Sequence, residues 1–269
     1  QRQMCIRDRG GIAIILAMLT AALIFGKGKF VYITLAVAFA YGVTGFLDDS
    51  IKIRYKRNLG LRPYQKIILQ LSIALIVAFV VYKNELIRGD VYIPFTKNTV
   101  SLGWGVIPLV VFIFIATTNS VNLTDGLDGL AASTTLVYMA GIAAIIAIVA
   151  ADADKNGLSL YVKEYQGLLT VCFATVGSLA GFLLFNCFPA KIFMGDVGSL
   201  ALGGVVACVS ILGRLSLYIP ILGVMFATSA VSDIIQVVHY KRTKRRVFLM
   251  APFHHHLQKK GLSETRIGF

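Results

Sequence analysis

Long apolar runs alternate with short polar segments along most of the chain, from about residue 10 to residue 240. A helix needs roughly 17–25 mainly apolar residues to cross the hydrocarbon layer of a membrane. By this criterion the pattern predicts eight spanning helices, and no internal repeat divides them. Their approximate ranges are 11–26, 30–47, 66–82, 105–121, 130–150, 167–186, 199–213 and 216–238. We therefore expect an all-α fold, a single polytopic transmembrane helix bundle.

Composition and charge narrow the class further. Hydrophobic residues make up 57% of the chain and charged residues 14%, whereas about a quarter of the residues in a soluble domain are charged. The net charge of +13 could suggest nucleic acid, but 15 of the Lys and Arg residues fall in loops on one side of the predicted bundle, against 8 opposite. Because such an excess marks the cytoplasmic side, we predict contact with a lipid bilayer and no nucleic-acid partner.

The first nine residues, QRQMCIRDR, are polar and charged and do not resemble a signal peptide. We interpret residues 1–9 as a non-native leader and residues 10–269 as one transmembrane domain. The four cysteines show no paired spacing, so the sequence implies neither a disulfide framework nor a zinc site.

A polar island, NSVNLTDGLDGL, occupies residues 119–130 between two apolar runs. A carboxylate at membrane depth costs about 2.5–3.5 kcal/mol, so the two acids here need either a function or an aqueous edge. Asp125 and Asp128 are three residues apart and Asn122 is one turn earlier, which places all three on one helical face. Such hard oxygen ligands suit Mg2+ shared with substrate phosphates. The alternative is a polar loop that caps the next helix.

The second candidate cluster lies where the second predicted span ends. Asp48 and Asp49 are adjacent, and Lys52 follows three residues after the second acid. Because neighbouring like charges raise each other's proton affinity, one carboxylate could act as a base while the other stays ionised. Lys52 could offset the repulsion or bind a phosphate. Lys66, at the start of the third span, could bind a phosphate or extend to the membrane surface.

The third cluster precedes the seventh predicted span. Asn186 ends one span, and Phe193, Gly195, Asp196 and Ser199 surround the start of the next. Backbone N–H groups at a helix N-terminus, beside an acid and a hydroxyl, could seat a magnesium diphosphate. Phe193 could stack on a base, although an aromatic residue here could equally serve packing and Ser199 could be a helix cap.

The fourth cluster contains Gln236, near the end of the last predicted span, and three consecutive histidines from His254 to His256. Successive helical side chains point about 100° apart, so three consecutive histidines cannot all bind one metal from a helix. We favour one or two of them reaching a diphosphate or a sugar.

All four clusters fall on the same side of the predicted topology. This coincidence predicts one cytoplasmic site at the membrane surface, where a water-soluble anionic substrate meets a lipid-borne one. A transporter would place its acids near the midplane between repeated halves, and a membrane scaffold would not need the acids at all. These two classes remain the alternatives to an enzyme.

Four segments of the chain carry a resemblance to a known family. GFLDDSIK, NSVNLTDGLDGLA, FNCFPAKIFMGDVGS and APFHHHLQKKG resemble motifs of the polyprenyl-phosphate N-acetylhexosamine-1-phosphate transferases. The proline-led triple histidine is similar to the branch that uses UDP-MurNAc-pentapeptide, and the GlcNAc-1-phosphate branch is the nearest alternative. The resemblance implies transfer of phospho-MurNAc-pentapeptide to undecaprenyl phosphate, with Mg2+ and release of UMP, at the cytoplasmic face of the bacterial inner membrane.

The resemblance also implies roles for individual residues. Asp196 and Asp125 would be metal ligands. Asp48 and Asp49 would handle the lipid phosphate, with Asp48 as the candidate base, and His255 would complete the catalytic group. The remaining residues would bind substrate: Lys52, Lys66, Asn119, Asn122, Asp128, Asn186, Phe193, Gly195, Ser199, Gln236, His254 and His256.

Within this substrate set, the resemblance assigns Asp128 and Phe193 to the uracil, Asn186 to the phosphates and sugar, and Gln236 to the nucleoside pocket. Members of the family carry one further span before Gly10 and one after the histidine loop. We therefore expect eight of ten spans here, with truncation at both ends. A homodimer is an expectation of the family alone.

Overall fold

The computed structural model describes residues 10–55, 60–96 and 98–268, so the predicted leader, residues 1–9, lies outside the described residues. The longer helices are α1 (Gly10–Phe25), α2 (Lys29–Tyr55), α3 (Pro63–Lys83), α4 (Val106–Thr124), α5 (Leu130–Lys155), α6 (Ser159–Asn186), α7 (Gly195–Leu212) and α9 (Val224–Thr243). The short helices are α8 (Ile219–Leu222), α10 (Phe253–Lys259) and α11 (Glu264–Gly268). The polytopic all-α bundle expected from the apolar pattern is confirmed.

Helix α7 forms the centre of the bundle. Every residue from Val197 to Leu212 is buried, and the helix packs against α1, α2, α4 and α5. Small residues permit this close packing, since a Cβ atom added at Gly203 would lie 2.6 Å from the Thr118 Cα atom of α4. Helices in lipid associate through such close van der Waals contacts at small residues. The first turn of α7, which carries Asp196, is packed equally closely, because a Cβ atom added at Gly45 of α2 would overlap the Asp196 carbonyl.

The predicted spans agree with the observed helices except for the first span and the last. Six helices in the described part of the chain, α2 to α7, are long and apolar enough to cross a membrane, whereas α1 has only 16 residues. The predicted span 216–238 is wrong as a single helix, because Ser216–Leu222 and Val224–Thr243 meet at 83°. Gly223 lies at the break with a non-helical backbone. A glycine here, three residues after Pro220, favours interruption of the helix.

A small hairpin lies at the end of the bundle opposite the polar clusters, as its position between α3 and α4 requires. Strand β1 (Asp90–Tyr92) pairs antiparallel with β2 (Thr99–Ser101), with Val91 opposite Val100. The hairpin is tied to the bundle by Arg214, whose Nη2 lies 2.6 Å from Asp90 Oδ2. This end therefore contains a compact structural cap.

Candidate active site

Three carboxylates meet where the last turns of α2 reach the first turn of α7. Ligand oxygens of Asp48, Asp49 and Asp196 all lie within 4.8 Å of one another. Lys52 Nζ contacts all three, at 2.7 Å from Asp48 Oδ2, 3.4 Å from Asp49 Oδ1 and 2.9 Å from Asp196 Oδ2. The acids predicted from two separate segments therefore form one cluster around a cation.

Asp196 makes the largest number of polar side-chain contacts among the three acids of the cluster. Besides Lys52, its Oδ2 contacts Lys66 Nζ of α3 at 3.1 Å, and its Oδ1 accepts a hydrogen bond from Asn122 Nδ2 of α4 at 2.8 Å. Asn122 Nδ2 also lies 2.8 Å from Ser199 Oγ. Side chains from α2, α3 and α4 thus converge on the helix start that carries Asp196, where an acid is also favoured by the helix dipole.

The donor set fits a magnesium ion. Three closely spaced carboxylates offer the hard oxygen ligands that Mg2+ prefers. With Lys52 and Lys66 counted as positive, these five side chains carry a net charge of −1. The predicted pair of ligands was Asp196 and Asp125. Among the described residues the structure groups Asp196 with Asp48 and Asp49. Asp125 lies outside that group, and its role as a metal ligand stays a prediction.

Asp125 follows the last residue of α4 and points its carboxyl group at the same space. In the described ranges this carboxyl group has no hydrogen-bond partner. Burial raises the pKa of the Asp125 carboxyl well above its usual range, and the negative charges of Asp196 and Asp49 add to this increase. A cation in front of these acids would oppose that effect, so the position of Asp125 is also consistent with a cationic ligand.

The acidic cluster opens onto a cavity of about 340 Å³. Its lining residues are Asp49, Lys52, Asp125, Gly126, Leu127, Asp128, Asn186, Phe193, Gly195 and Asp196. These come from three of the four polar clusters predicted from the sequence. Phe193 is 37% exposed and is the aromatic residue among those that line the cavity.

Asp128 and Asn186 line the cavity but also join its two loops. Asp128 Oδ2 accepts a hydrogen bond from the Ala190 N–H at 2.8 Å. Asn186 Oδ1 accepts one from the Gly129 N–H at 3.1 Å, and its Nδ2 donates to the Ile192 carbonyl at 2.8 Å. These bonds tie the α4–α5 loop to the segment between α6 and α7, so both residues shape the wall that a ligand would meet.

The histidine segment forms α10, which packs over the α4–α5 loop. A Cβ atom at Gly126 would lie 2.6 Å from His254 Nε2 and 3.0 Å from His255 Nε2, so glycine permits this contact. His254 is completely buried, and neither of its ring nitrogens has a hydrogen-bond partner within the part of the chain that the structure describes. Burial lowers the pKa of His254 to about 4, and the neighbouring His255 contributes. His254 is therefore neutral at pH 7.

Seven of the twelve predicted substrate ligands lie outside the cavity lining: Lys66, Asn119, Asn122, Ser199, Gln236, His254 and His256. Three of these seven contact the framework of the protein. His256 Nδ1 accepts a hydrogen bond from the Leu249 N–H at 3.1 Å. Gln236 Oε1 accepts hydrogen bonds from the Val247 and Phe248 N–H groups, each at 3.0 Å. Asn119 pairs with Gln70 of α3, its Nδ2 lying 2.8 Å from Gln70 Oε1. These polar atoms hold backbone or a neighbouring helix in place, and the expected role of the three residues in substrate binding stays a prediction.

The comparisons with known proteins agree with this geometry. Residues 30–214 match the model of the family described as Glycosyl transferase family 4. The chain belongs to this family. It is 42% identical over 261 residues to a protein of Clostridioides difficile (strain 630), across 97% of this chain and 77% of the relative, and 44% identical over 263 residues to one of Bacillus mycoides (strain KBAB4), across 96% and 76%. Both relatives are named phospho-N-acetylmuramoyl-pentapeptide-transferase.

The sequence analysis missed one buried polar residue of this glycosyl transferase family 4 member. Gln70 is fully buried and lies one helical turn after Lys66, while its partner Asn119 lies one turn before Asn122. The reciprocal amide pair therefore links α3 to α4 beside Lys66 and Asn122, two of the three side chains that bind Asp196. A lone glutamine within an apolar run was the available signal, since a buried amide requires a partner.

Proposed function

We propose that this protein transfers phospho-MurNAc-pentapeptide from UDP-MurNAc-pentapeptide to undecaprenyl phosphate, with release of UMP, at the cytoplasmic face of the bacterial inner membrane. The acidic cluster around Lys52 carries the proposal, because it opens onto a cavity at one end of a membrane bundle. A lipid phosphate and a soluble nucleotide can meet at such a place. The names of the relatives supply the substrate.

Asp48, Asp49 and Asp196 would hold Mg2+, since their oxygens are closely grouped. When bound, the metal would supply positive charge that neutralises the diphosphate as the bond breaks. Lys52 and Lys66 provide two further cations at the same place, next to Asp196. These side chains therefore bind the diphosphate and balance its charge.

The acceptor oxygen of the lipid phosphate forms a bond to the sugar-linked phosphorus, and the bond from this phosphorus to the UMP oxygen breaks. Because the acceptor is already an anion at neutral pH, no proton must be removed before attack. Asp48 is then not needed as a base, and its Oδ1 is occupied by the Leu61 N–H at 2.7 Å. Phe193 stacks on the uracil, and Asp128 keeps Oδ1 for a uracil donor while Oδ2 binds the loop.

A UMP-release assay with the purified protein in detergent tests the proposal. We expect release from UDP-MurNAc-pentapeptide only when undecaprenyl phosphate and Mg2+ are both present. Asp196→Asn should reduce the rate by at least about 100-fold, because it removes the charge that Lys52 and Lys66 bind. Asp154→Asn, an exposed acid at the opposite end, is the matched control. Release from UDP-GlcNAc alone would contradict the proposed substrate.

The route of attack has a separate test. Direct attack predicts that labelled UMP does not exchange into UDP-MurNAc-pentapeptide when undecaprenyl phosphate is absent. Exchange without the lipid would instead require an aspartyl intermediate on the protein, and it would contradict direct transfer.

A further inference from the structure

We infer that Ser232 of α9 is a positioning residue that holds the histidine helix α10 over the α4–α5 loop. The observation is a hydrogen bond of 2.9 Å from the Phe253 N–H, at the first residue of α10, to Ser232 Oγ. The first N–H groups of a helix have no partner within the helix. Here a side chain from another helix supplies one. The inference rests on the proposed function only for its catalytic consequence.

The Ser232 hydroxyl is set up to accept this bond. It donates its own proton to the Ser229 carbonyl at 2.9 Å, which leaves its lone pairs available to the Phe253 N–H. Ser232 is 3% exposed, so water cannot easily replace a lost partner. An unsatisfied buried donor costs about 1–3 kcal/mol. The hydroxyl therefore fixes where α10 begins.

The same face of α9 also contacts the end of α4. Ser229 is fully buried, and its Oγ lies 3.1 Å from Thr124 Oγ1. Thr124 is the residue immediately before Asp125. Since Ser229 and Ser232 are three residues apart, they share one helical face. One face of α9 thus binds the residue before Asp125 on one side and the residue before His254 on the other.

A third contact extends this face toward the end of α9. Gln236 lies four residues after Ser232, and its amide oxygen accepts the Val247 and Phe248 N–H groups. The chain that leads from α9 back to α10 is therefore fixed on the same side of the helix. The segment that places His254 and His255 beside Gly126 is therefore bound to α9 at two points, Val247–Phe248 and Phe253.

Four variants isolate the hydrogen bond from the packing. Ser232→Ala removes the acceptor, Ser232→Cys keeps most of the volume but is a weak acceptor, and Ser232→Thr keeps the hydroxyl. Thr228→Ala is the matched control, because Thr228 is a half-buried residue of α9 whose hydroxyl makes an exposed hydrogen bond to its own helix, at the Val224 carbonyl. If the hydrogen-bond acceptor is what matters, faster exchange and weaker substrate binding should appear in the Ser232→Ala and Ser232→Cys variants and not in the other two.

Amide hydrogen exchange in detergent is the direct readout and does not depend on activity. In Ser232→Ala and Ser232→Cys, the peptide containing residues 250–257 should exchange roughly fivefold faster, as the loss of one neutral hydrogen bond implies. Peptides from α5 and α7 should be unchanged. Unchanged exchange at residues 250–257 in both variants would overturn the inference, whatever the activity of the protein.

The kinetic readout distinguishes positioning from general stability. If α10 presents His254 and His255 to the nucleotide-sugar, the KM for UDP-MurNAc-pentapeptide should rise about five- to tenfold in the Ala and Cys variants. The KM for undecaprenyl phosphate should not change, and Ser232→Thr should restore the parent value. Equal changes for both substrates with a lower Tm would show a merely structural role. An inactive parent protein would count against the proposed function but leave the exchange result decisive.

Discussion

At the scale of single residues, the main feature of the site is that it contains more carboxylates than positively charged side chains. Among the residues that the structure describes, Lys52 contacts three carboxylates and Lys66 contacts Asp196 alone. The cluster therefore keeps an excess of negative charge, and Asp125 adds a further carboxyl without a hydrogen-bond partner in the described ranges. Such an arrangement is costly for folding alone, because like charges repel at low effective dielectric. It is the arrangement expected where a divalent cation and a diphosphate must bind together.

The buried imidazole of His254 leads to a prediction on pH. Its pKa in the folded protein is about 4, below the reference value of 6.5, because burial disfavours the charged form. Between these two values the unfolded chain binds more protons, so stability falls as the pH decreases. The contribution is complete above about pH 6.5 and is lost toward pH 4, at up to about 1.4 kcal/mol per pH unit.

Thermal unfolding in detergent at pH 4.5, 5.5 and 7.5 measures this dependence. His254→Gln should show a smaller loss of Tm between pH 7.5 and pH 4.5 than the parent protein does. Carboxyl groups contribute equally to both proteins, so the difference isolates the imidazole. Parallel curves for the two proteins would show that His254 is not protected from protonation.

The acids of the site were predictable from the sequence, and the residues that hold them in place were largely not. A carboxylate beside a membrane span carries a free-energy cost, so Asp48, Asp125 and Asp196 could be predicted as functional from the sequence. A serine in an apolar helix does not, because its hydroxyl normally bonds to its own backbone four residues back. Ser232 departs from that pattern only through a contact 21 residues away, which no local pattern reveals.

At the scale of helices, apolar run length predicted the elements well and their interruptions poorly. The runs located α2 to α7 because the membrane fixes the length of a spanning helix. The same criterion gave one span for 216–238, because hydropathy averages over a break and a single glycine, Gly223, weakens a helix while it lowers the mean hydropathy only slightly. The 83° bend then directs α9 past the end of α4, where its serines make their contacts.

Two glycines on helices that follow one another in the chain give an element-scale prediction. Gly203→Ala should lower the Tm, because the added Cβ would lie 2.6 Å from the Thr118 Cα atom and force α7 away from α4. Overpacking of this kind costs about 1–3 kcal/mol. Gly177→Ala on α6 should be neutral or slightly stabilising, because in the described ranges no atom beyond the adjacent residues and backbone of its own helix lies within 4 Å of its Cβ position.

The measurement is the loss of monodisperse protein after heating in detergent, compared between the two variants. Both substitutions add one methyl group to a helical glycine, so the difference in Tm between the two variants reports only the space available around the added Cβ atom. An equal Tm in the two variants would mean that α7 can shift without cost. It would also weaken the claim that the helix fixes Asp196.

At the scale of the whole molecule, alternation of helix direction brings the polar clusters to one end of the bundle. The sequence predicted that end from loop order alone, and the structure confirms that Asp48, Asp125 and Asp196 lie there. Their convergence on one cavity could not be predicted, because it depends on the central place of α7 and its packing against both α2 and α4. Loop order does not determine which end of the bundle faces the cytoplasm. The excess of Lys and Arg in the loops at the end with the acidic cluster predicts that this end is cytoplasmic.

Labelling of Cys187 tests that orientation. Cys187 is exposed at the same end as the acidic cluster, whereas Cys172 and Cys208 are buried. In a Cys5→Ser background, a membrane-impermeant maleimide should label Cys187 in inside-out vesicles and leave it unlabelled in right-side-out vesicles. Asn156→Cys, with Cys187 replaced by Ser, is the matched control, since Asn156 is exposed at the opposite end of α5 and should give the reverse pattern. Labelling of Cys187 from outside the cell would place the cavity where a cytoplasmic nucleotide-sugar cannot reach it, and the proposed reaction would then be excluded.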